Sequence, residues 1–181
     1  MFRMRTAVIV LVVLVLVLFA VKRTLHADSS KMPAVGQMAP DFTLPSQEDP
    51  AITLSQYHGK WVVLYFYPKD MTSGCTVEAH NFQRDMAKYT ADNAVILGVS
   101  VQDAAMHKQF CAKEGLNFKL LADTDKKVSK MYDSMIPVMG LSARNTFLIG
   151  PDGKIVKVWT GVNPQNHSEE VLAELAKAEG K

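Results

Sequence analysis

Trp61-Val62-Val63-Leu64-Tyr65-Phe66-Tyr67-Pro68-Lys69-Asp70-Met71-Thr72-Ser73-Gly74-Cys75 is the stretch from which the rest of the chain can be read. Its first part, Trp61 to Tyr67, is an unbroken apolar and aromatic run that fits a central strand buried on both faces. A turn bearing Pro and Gly follows. Helical spacing then runs from about Gly74 to Tyr89, with apolar Val77, Phe82, Met86 and Tyr89 on one side. Cys75 therefore opens a helix directly behind a buried strand. A helix N-terminus carries unpaired backbone N–H groups and a partial positive charge, so it favours a thiolate, the nucleophilic form of cysteine.

Outward from this stretch, short strands are expected at Asp41–Leu44 and Ile52–Leu54, with a turn through Pro45–Pro50 and another at His58-Gly59. Ala94–Val101 (AVILGVSV) reads as the next buried strand, and Asp103 as the cap of a helix through Phe110 and Cys111 to Glu114. Phe118–Ala122 is strand-like and Asp125–Tyr132 a short helix. Thr146–Ile149 and Ile155–Thr160 are strands joined by Pro151-Asp152-Gly153, a hairpin signal. Ser168–Ala178 closes the chain as an amphipathic helix, Glu-rich early and Lys-bearing late, as the helix dipole prefers. Strands alternating with helices, then a hairpin and a final helix, describe an α/β sandwich around a mixed sheet.

The 181 residues are 48% apolar, and the first thirty are unlike the rest. Ala7–Val21 (AVIVLVVLVLVLFAV) is unbroken apolar sequence between Arg3 and Arg5 on one side and Lys22 and Arg23 on the other. Its length is at the upper end for a signal-peptide core of about 7 to 15 residues and just short of the roughly 20 that span a bilayer comfortably. Basic flanks can snorkel, and Leu25-His26-Ala27 is a poor processing site because Leu stands where a small residue is wanted. The expectation is an N-terminal membrane anchor or signal helix at 1–27, a linker at 28–37 and one domain at 38–181. A signal-like start places that domain outside the cytoplasm, in the periplasm. From Met32 onward there are 15 basic and 17 acidic residues. A near-neutral domain without basic runs gives no footing for nucleic acid.

Two cysteines decide little alone, since a free cysteine is most often a small buried hydrophobe. A structural cysteine, however, has no need of a Pro-x-x-x-Thr-x-x-Cys turn, and Pro68, Thr72 and Cys75 stand at that spacing. A hydroxyl three residues before a thiolate can hold a polar substrate oxygen beside the sulfur, an arrangement that suits a peroxide.

At this point the chain resembles a peroxiredoxin, specifically the Q-type or bacterioferritin comigratory protein group within the AhpC/TSA-like, thioredoxin-fold superfamily. The resemblance spans about Met38 to Lys177. It rests on Ala39-Pro40-Asp41-Phe42, Tyr65-Phe66-Tyr67-Pro68-Lys69-Asp70, Gly74-Cys75-Thr76-x-Glu78 and Arg144-x-Thr146-Phe147-Leu148-Ile149. It implies a thioredoxin-like fold and reduction of hydrogen peroxide or organic hydroperoxides by Cys75, the peroxidatic residue. Thr72 would hydrogen-bond the peroxide, Pro68 would shield the thiolate from water, and Arg144 would stabilise the thiolate and the charge developing on oxygen. A planar guanidinium beside a sulfur is suited to both tasks. No metal, haem or flavin cofactor is implied. The product on Cys75 is a sulfenic acid, which another thiol must resolve before it is over-oxidised.

The chain departs from the family pattern twice. Ser73 stands where the family usually has Pro, and His80 where many relatives place a resolving cysteine. Cys111, on the following helix, is then the internal candidate for resolution, as in some Q-type members; the alternative is a structural Cys111 and a one-cysteine peroxidase. A disulfide needs the two Cα atoms within about 7 Å, so the first turn of the Cys75 helix is expected to unwind between the half-reactions. The reductant would be a thioredoxin-like thiol carrier, and the resemblance implies a monomer.

His58, His80, His107 and His167 lack ligand spacing and are expected on solvated faces. The methionines are expected to fill the core, Trp61 and Trp159 to be core or sheet residues, and Glu78 to be a hydrogen-bonding partner near the turn. Two other functions fit a cysteine on such a fold. A membrane-tethered thiol-disulfide oxidoreductase would need a Cys-x-x-Cys pair, and Cys75 is followed by Thr76-Val77-Glu78. A non-enzymatic holdase would have no use for Thr72, Cys75 and Arg144 together.

Overall fold

The computed structural model describes residues 32–181. The expected anchor or signal helix and residues 28–31 of the expected linker lie outside the described residues. Among the described residues, no helix is long and apolar enough to cross a membrane.

A short antiparallel pair, β1 (Thr43–Leu44) and β2 (Ile52–Thr53), and a 3₁₀ turn (Leu54–Tyr57) precede the main sheet. There follow β3 (Trp61–Phe66), α1 (Ser73–Arg84), α2 (Met86–Ala91), β4 (Ala94–Ser100), α3 (Ala104–Glu114), β5 (Lys119–Ala122) and α4 (Lys127–Met131). The chain ends with β6 (Asn145–Ile149), β7 (Ile155–Thr160) and α5 (His167–Ala178). The sheet order is β5-β4-β3-β6-β7, with β3 in the centre. β3, β4 and β5 run parallel; β6 is antiparallel to both β3 and β7. This is the mixed α/β, thioredoxin-like arrangement expected from the sequence.

The alternation of side chains along β3 divides the core in two. Val63, Tyr65 and, just beyond the strand, Tyr67 face Cys75, Phe82, Phe110 and Cys111 from the helices. Val62, Leu64 and Phe66 face Phe42, Leu44, Tyr132 and Phe147 on the other side. Each such burial contributes roughly 1.5–3 kcal/mol, which explains why the run carries no polar residue. Gly98 is the register partner of Tyr65. A Cβ there would come within 2.7 Å of both the Tyr65 ring and Leu120 Cδ2, so only glycine lets the tyrosine lie across β4.

The single helix expected over Gly74–Tyr89 is broken at Asp85. That carboxylate is buried, 2.6 Å from Arg84 Nη2 and 2.9 Å from Lys88 Nζ, and accepts from Ser168 Oγ at 2.9 Å. Aspartate favours such local partners over a helix interior, and the chain turns there to dock on α5. The methionine expectation also fails: none of the eight described methionines is buried, because aromatic and branched residues fill the core. Asp103 caps α3 as expected, accepting from Met106 N at 2.8 Å. Residues 36–38, in and just after the expected linker, run along the final hairpin: Gly36 N donates to Ile155 O at 2.8 Å and Ile155 N to Gln37 O at 2.9 Å.

Candidate active site

β3 ends against the helices, and the chain leaves it through Tyr67 and half-buried Pro68 into a short loop. Met71 adopts φ of 62°, an unusual conformation for a side-chain-bearing residue. It reverses the chain so that Thr72 becomes the N-cap of α1. Thr72 is extended and exposed; its carbonyl accepts from Thr76 N at 2.9 Å, while its hydroxyl makes no capping bond and donates instead to Lys69 O at 3.0 Å. The hydroxyl oxygen thus keeps lone pairs for a further donor, and the first-turn amides of α1 are not consumed by it.

Cys75 lies in that first turn and is 2% exposed. Arg144, from the segment entering β6, is half-buried and straddles the site: Nη2 donates to Cys75 Sγ at 3.2 Å and Nη1 to Glu78 Oε2 at 2.6 Å. Glu78 stands one helical turn after Cys75 and is 1% exposed. Burial pushes its carboxyl up to about 7, against the opposing pull of the guanidinium. Its second oxygen, Oε1, is buried without a hydrogen-bond partner. Glu78 is the hydrogen-bonding partner that the sequence suggests, and its partner is the arginine.

The structure therefore gathers Thr72, Cys75 and Arg144, with Pro68 leading into the same loop. Cys111 lies on α3 in the cluster of buried residues that also holds Cys75; both thiols are free. Burial, assisted by Asp70 and Glu48, pushes the Cys111 thiol up to about 12, so it stays protonated while enclosed. His58 and His80 are exposed, and His80 Nε2 lies 3.0 Å from Glu114 Oε2. His107 and His167, expected in solvent, are both fully buried. His167 sits at the start of α5 with Nε2 2.7 Å from Thr146 Oγ1, and burial lowers its pKa to about 4. His107 contacts Asp70, which is also buried. The sequence held a signal for this: His107, Phe110 and Cys111 fall on one helical face, and that face points inward. Among the described residues, no group of three or more His, Cys, Asp or Glu is placed to hold a metal ion.

Residues 35–158 match the AhpC/TSA family model. The chain belongs to the AhpC/TSA family. Peroxiredoxin Bcp of Bacillus subtilis is 39% identical over 148 residues, covering 78% of this chain and 94% of that protein. The crystal structure of a PrxQ cysteine-to-serine variant from Xylella fastidiosa superposes with a TM-score of 0.78 at 36% identity, covering 85% of this chain and 100% of that one. Peroxiredoxin Q from Xanthomonas campestris superposes with a TM-score of 0.72 at 36% identity, covering 77% of this chain and 92% of that one. The latter has been solved as serine variants at two different cysteines, thirty-six positions apart. Within the family this chain is a peroxiredoxin of the Q/Bcp group and a thiol peroxidase.

Proposed function

We propose that the peroxidase reaction runs through Cys75, held by Thr72 and Arg144, and is completed by Cys111. The observation that carries the assignment is the guanidinium of Arg144, which touches Cys75 Sγ while anchored on Glu78. The Cys75 thiolate attacks the terminal oxygen of a hydroperoxide; the S–O bond forms as the O–O bond breaks, and the other oxygen departs with a proton as water or an alcohol. Thr72 Oγ1 accepts from the hydroperoxide O–H, Arg144 donates toward the developing oxyanion, and Pro68 keeps water from the sulfur. Both hydrogen peroxide and organic hydroperoxides present this O–O bond. The Xanthomonas campestris bacterioferritin comigratory protein is described by its alkyl peroxide reduction activity.

In the second step, the Cys111 sulfur attacks Cys75, an S–S bond replaces S–O, and water leaves with the Cys111 proton. Cys75 and Cys111 are thirty-six residues apart, the same separation as the two substituted cysteines of the Xanthomonas campestris relative. Because Cys111 is enclosed and protonated in the reduced fold, resolution requires local unwinding around one or both thiols. A thioredoxin-like dithiol carrier then supplies two electrons. The apolar run Ala7–Val21 and its basic flanks support a tether that holds a monomeric domain outside the cytoplasm; digestion of the full-length protein by protease added to spheroplasts tests this.

Mass and free-thiol count of the full-length protein after one equivalent of hydrogen peroxide test the chemistry. Wild type should lose both thiols and about two mass units, whereas Cys111→Ser should stop with one oxygen added on Cys75. A wild type that also stops at the sulfenic acid would make this a one-cysteine peroxidase.

A further inference from the structure

Behind the Cys75 loop lies a closed set of buried polar groups that the peroxide step does not use. Both carboxylate oxygens of Asp70 are occupied: Oδ1 accepts from Tyr67 Oη at 2.7 Å, and Oδ2 lies 2.8 Å from His107 Nδ1. The other ring nitrogen of His107, Nε2, lies 3.3 Å from the carbonyl oxygen of Leu121 in β5. A carbonyl oxygen only accepts, so Nε2 carries a hydrogen. The imidazole thus bridges the loop carboxylate and the β5 carbonyl. The Asp70 backbone N–H also donates to Gln102 Oε1, in the turn that leads into α3.

The pair joins the two moving parts of the reaction. Asp70 belongs to the loop that carries Thr72 and leads to Cys75, whereas His107 stands one helical turn before Cys111 on the same face of α3. Asp70 and His107 are each fully enclosed. Pulling α3 away from the loop would take His107 from Asp70 Oδ2, leaving Tyr67 on the other carboxylate oxygen, and would break a buried polar contact at a cost in free energy. Cys111 is buried on the helix so held.

We propose that Asp70 and His107 are positioning residues that latch the Cys75 loop to the Cys111 helix, and that opening of this latch limits the rate of disulfide formation. The latch takes no part in peroxide attack and delays the approach of Cys111 afterwards. It also sets how long the sulfenic acid waits exposed to a second peroxide. The proposal rests on the reading of Cys111 as the resolving thiol.

The test is a single-turnover time course on the full-length protein, with dimedone trapping for sulfenic acid and mass analysis for the disulfide. His107→Asn should form sulfenic acid within about twofold of the wild-type rate and convert it to disulfide at least fivefold faster, with less sulfinic acid under excess peroxide. Tyr67→Phe, which removes one hydrogen bond to Asp70 and keeps the ring, should accelerate the second step by a smaller factor. It decides the matter if His107→Asn does not fold. Amide exchange in the reduced proteins should show loss of protection along α3 in proportion to the gain in rate. Disulfide formation that is unchanged or slower in the folded variants overturns the latch and leaves the resolving role of Cys111 standing. Absence of a Cys75–Cys111 disulfide in wild type overturns both.

Discussion

Arg144 places Nη2 3.2 Å from Cys75 Sγ. Its other terminal nitrogen is fixed on Glu78 at 2.6 Å, so the contact to sulfur is directed by a buried carboxylate one turn along the same helix. A planar fork with two separated donors is what makes this possible. The site is thereby built from one helix and one arginine that arrives from the far side of the sequence.

Lysine keeps the charge at position 144 but cannot hold Glu78 and Cys75 at once. Arg144→Lys should lower kcat/KM for hydrogen peroxide by about 100-fold or more while far-UV circular dichroism stays unchanged. A loss under threefold would mean that positive charge alone suffices.

A Cβ on Gly74 would lie 2.9 Å from Arg144 Nη2, and that guanidinium is the flexible part of the clash. Alanine also suits a helix better than glycine, by about 1 kcal/mol. Gly74→Ala should therefore fold at least as stably as wild type yet lose about tenfold or more in kcat/KM, because the guanidinium is pushed off the sulfur. Retention of full activity would show that Arg144 can tolerate a shifted position.

Glu78 and His167 give opposite pH signatures. The Glu78 carboxyl is raised from 4.5 to about 7, so its contribution to stability is present below pH 4.5 and is lost as pH rises through 7. His167 is lowered from 6.5 to about 4 by burial, so the folded state stays neutral while the unfolded chain takes up a proton, and stability falls as pH drops from 6.5 to 4. Urea unfolding across this range should show Glu78→Gln gaining about 3 kcal/mol relative to wild type from pH 4.5 to 7. His167→Asn should lose a similar amount relative to wild type, about 3 kcal/mol, as pH rises from 4 to 6.5. Parallel curves for variant and wild type would remove the assigned group as the cause.

The sheet was legible because its strands are bounded by Gly, Pro and Asp and their burial leaves continuous apolar runs; the runs Trp61–Tyr67 and Ala94–Val101 each overshoot the observed strand by one residue. The spacing of Pro68, Thr72 and Cys75 around a turn was visible in the sequence, whereas Arg144 came only through the resemblance to the peroxiredoxins. The helix break at Asp85 was not, because it depends on Arg84, Lys88 and Ser168 converging on one carboxylate, and Ser168 is distant in sequence. The burial of His107 was half visible in its spacing from Phe110 and Cys111. Its partner Asp70 lies in a loop, where no periodicity reveals which side chains turn inward.

The most direct measurement is peroxide consumption by full-length wild type and Cys75→Ser under a dithiol reductant, followed by competition for hydrogen peroxide. Wild type should consume peroxide catalytically and Cys75→Ser should fall to the uncatalysed rate, with Cys111→Ser retaining the first, stoichiometric turnover. Peroxide consumption by Cys75→Ser at a rate near that of wild type would contradict the assignment of Cys75 as the attacking thiol.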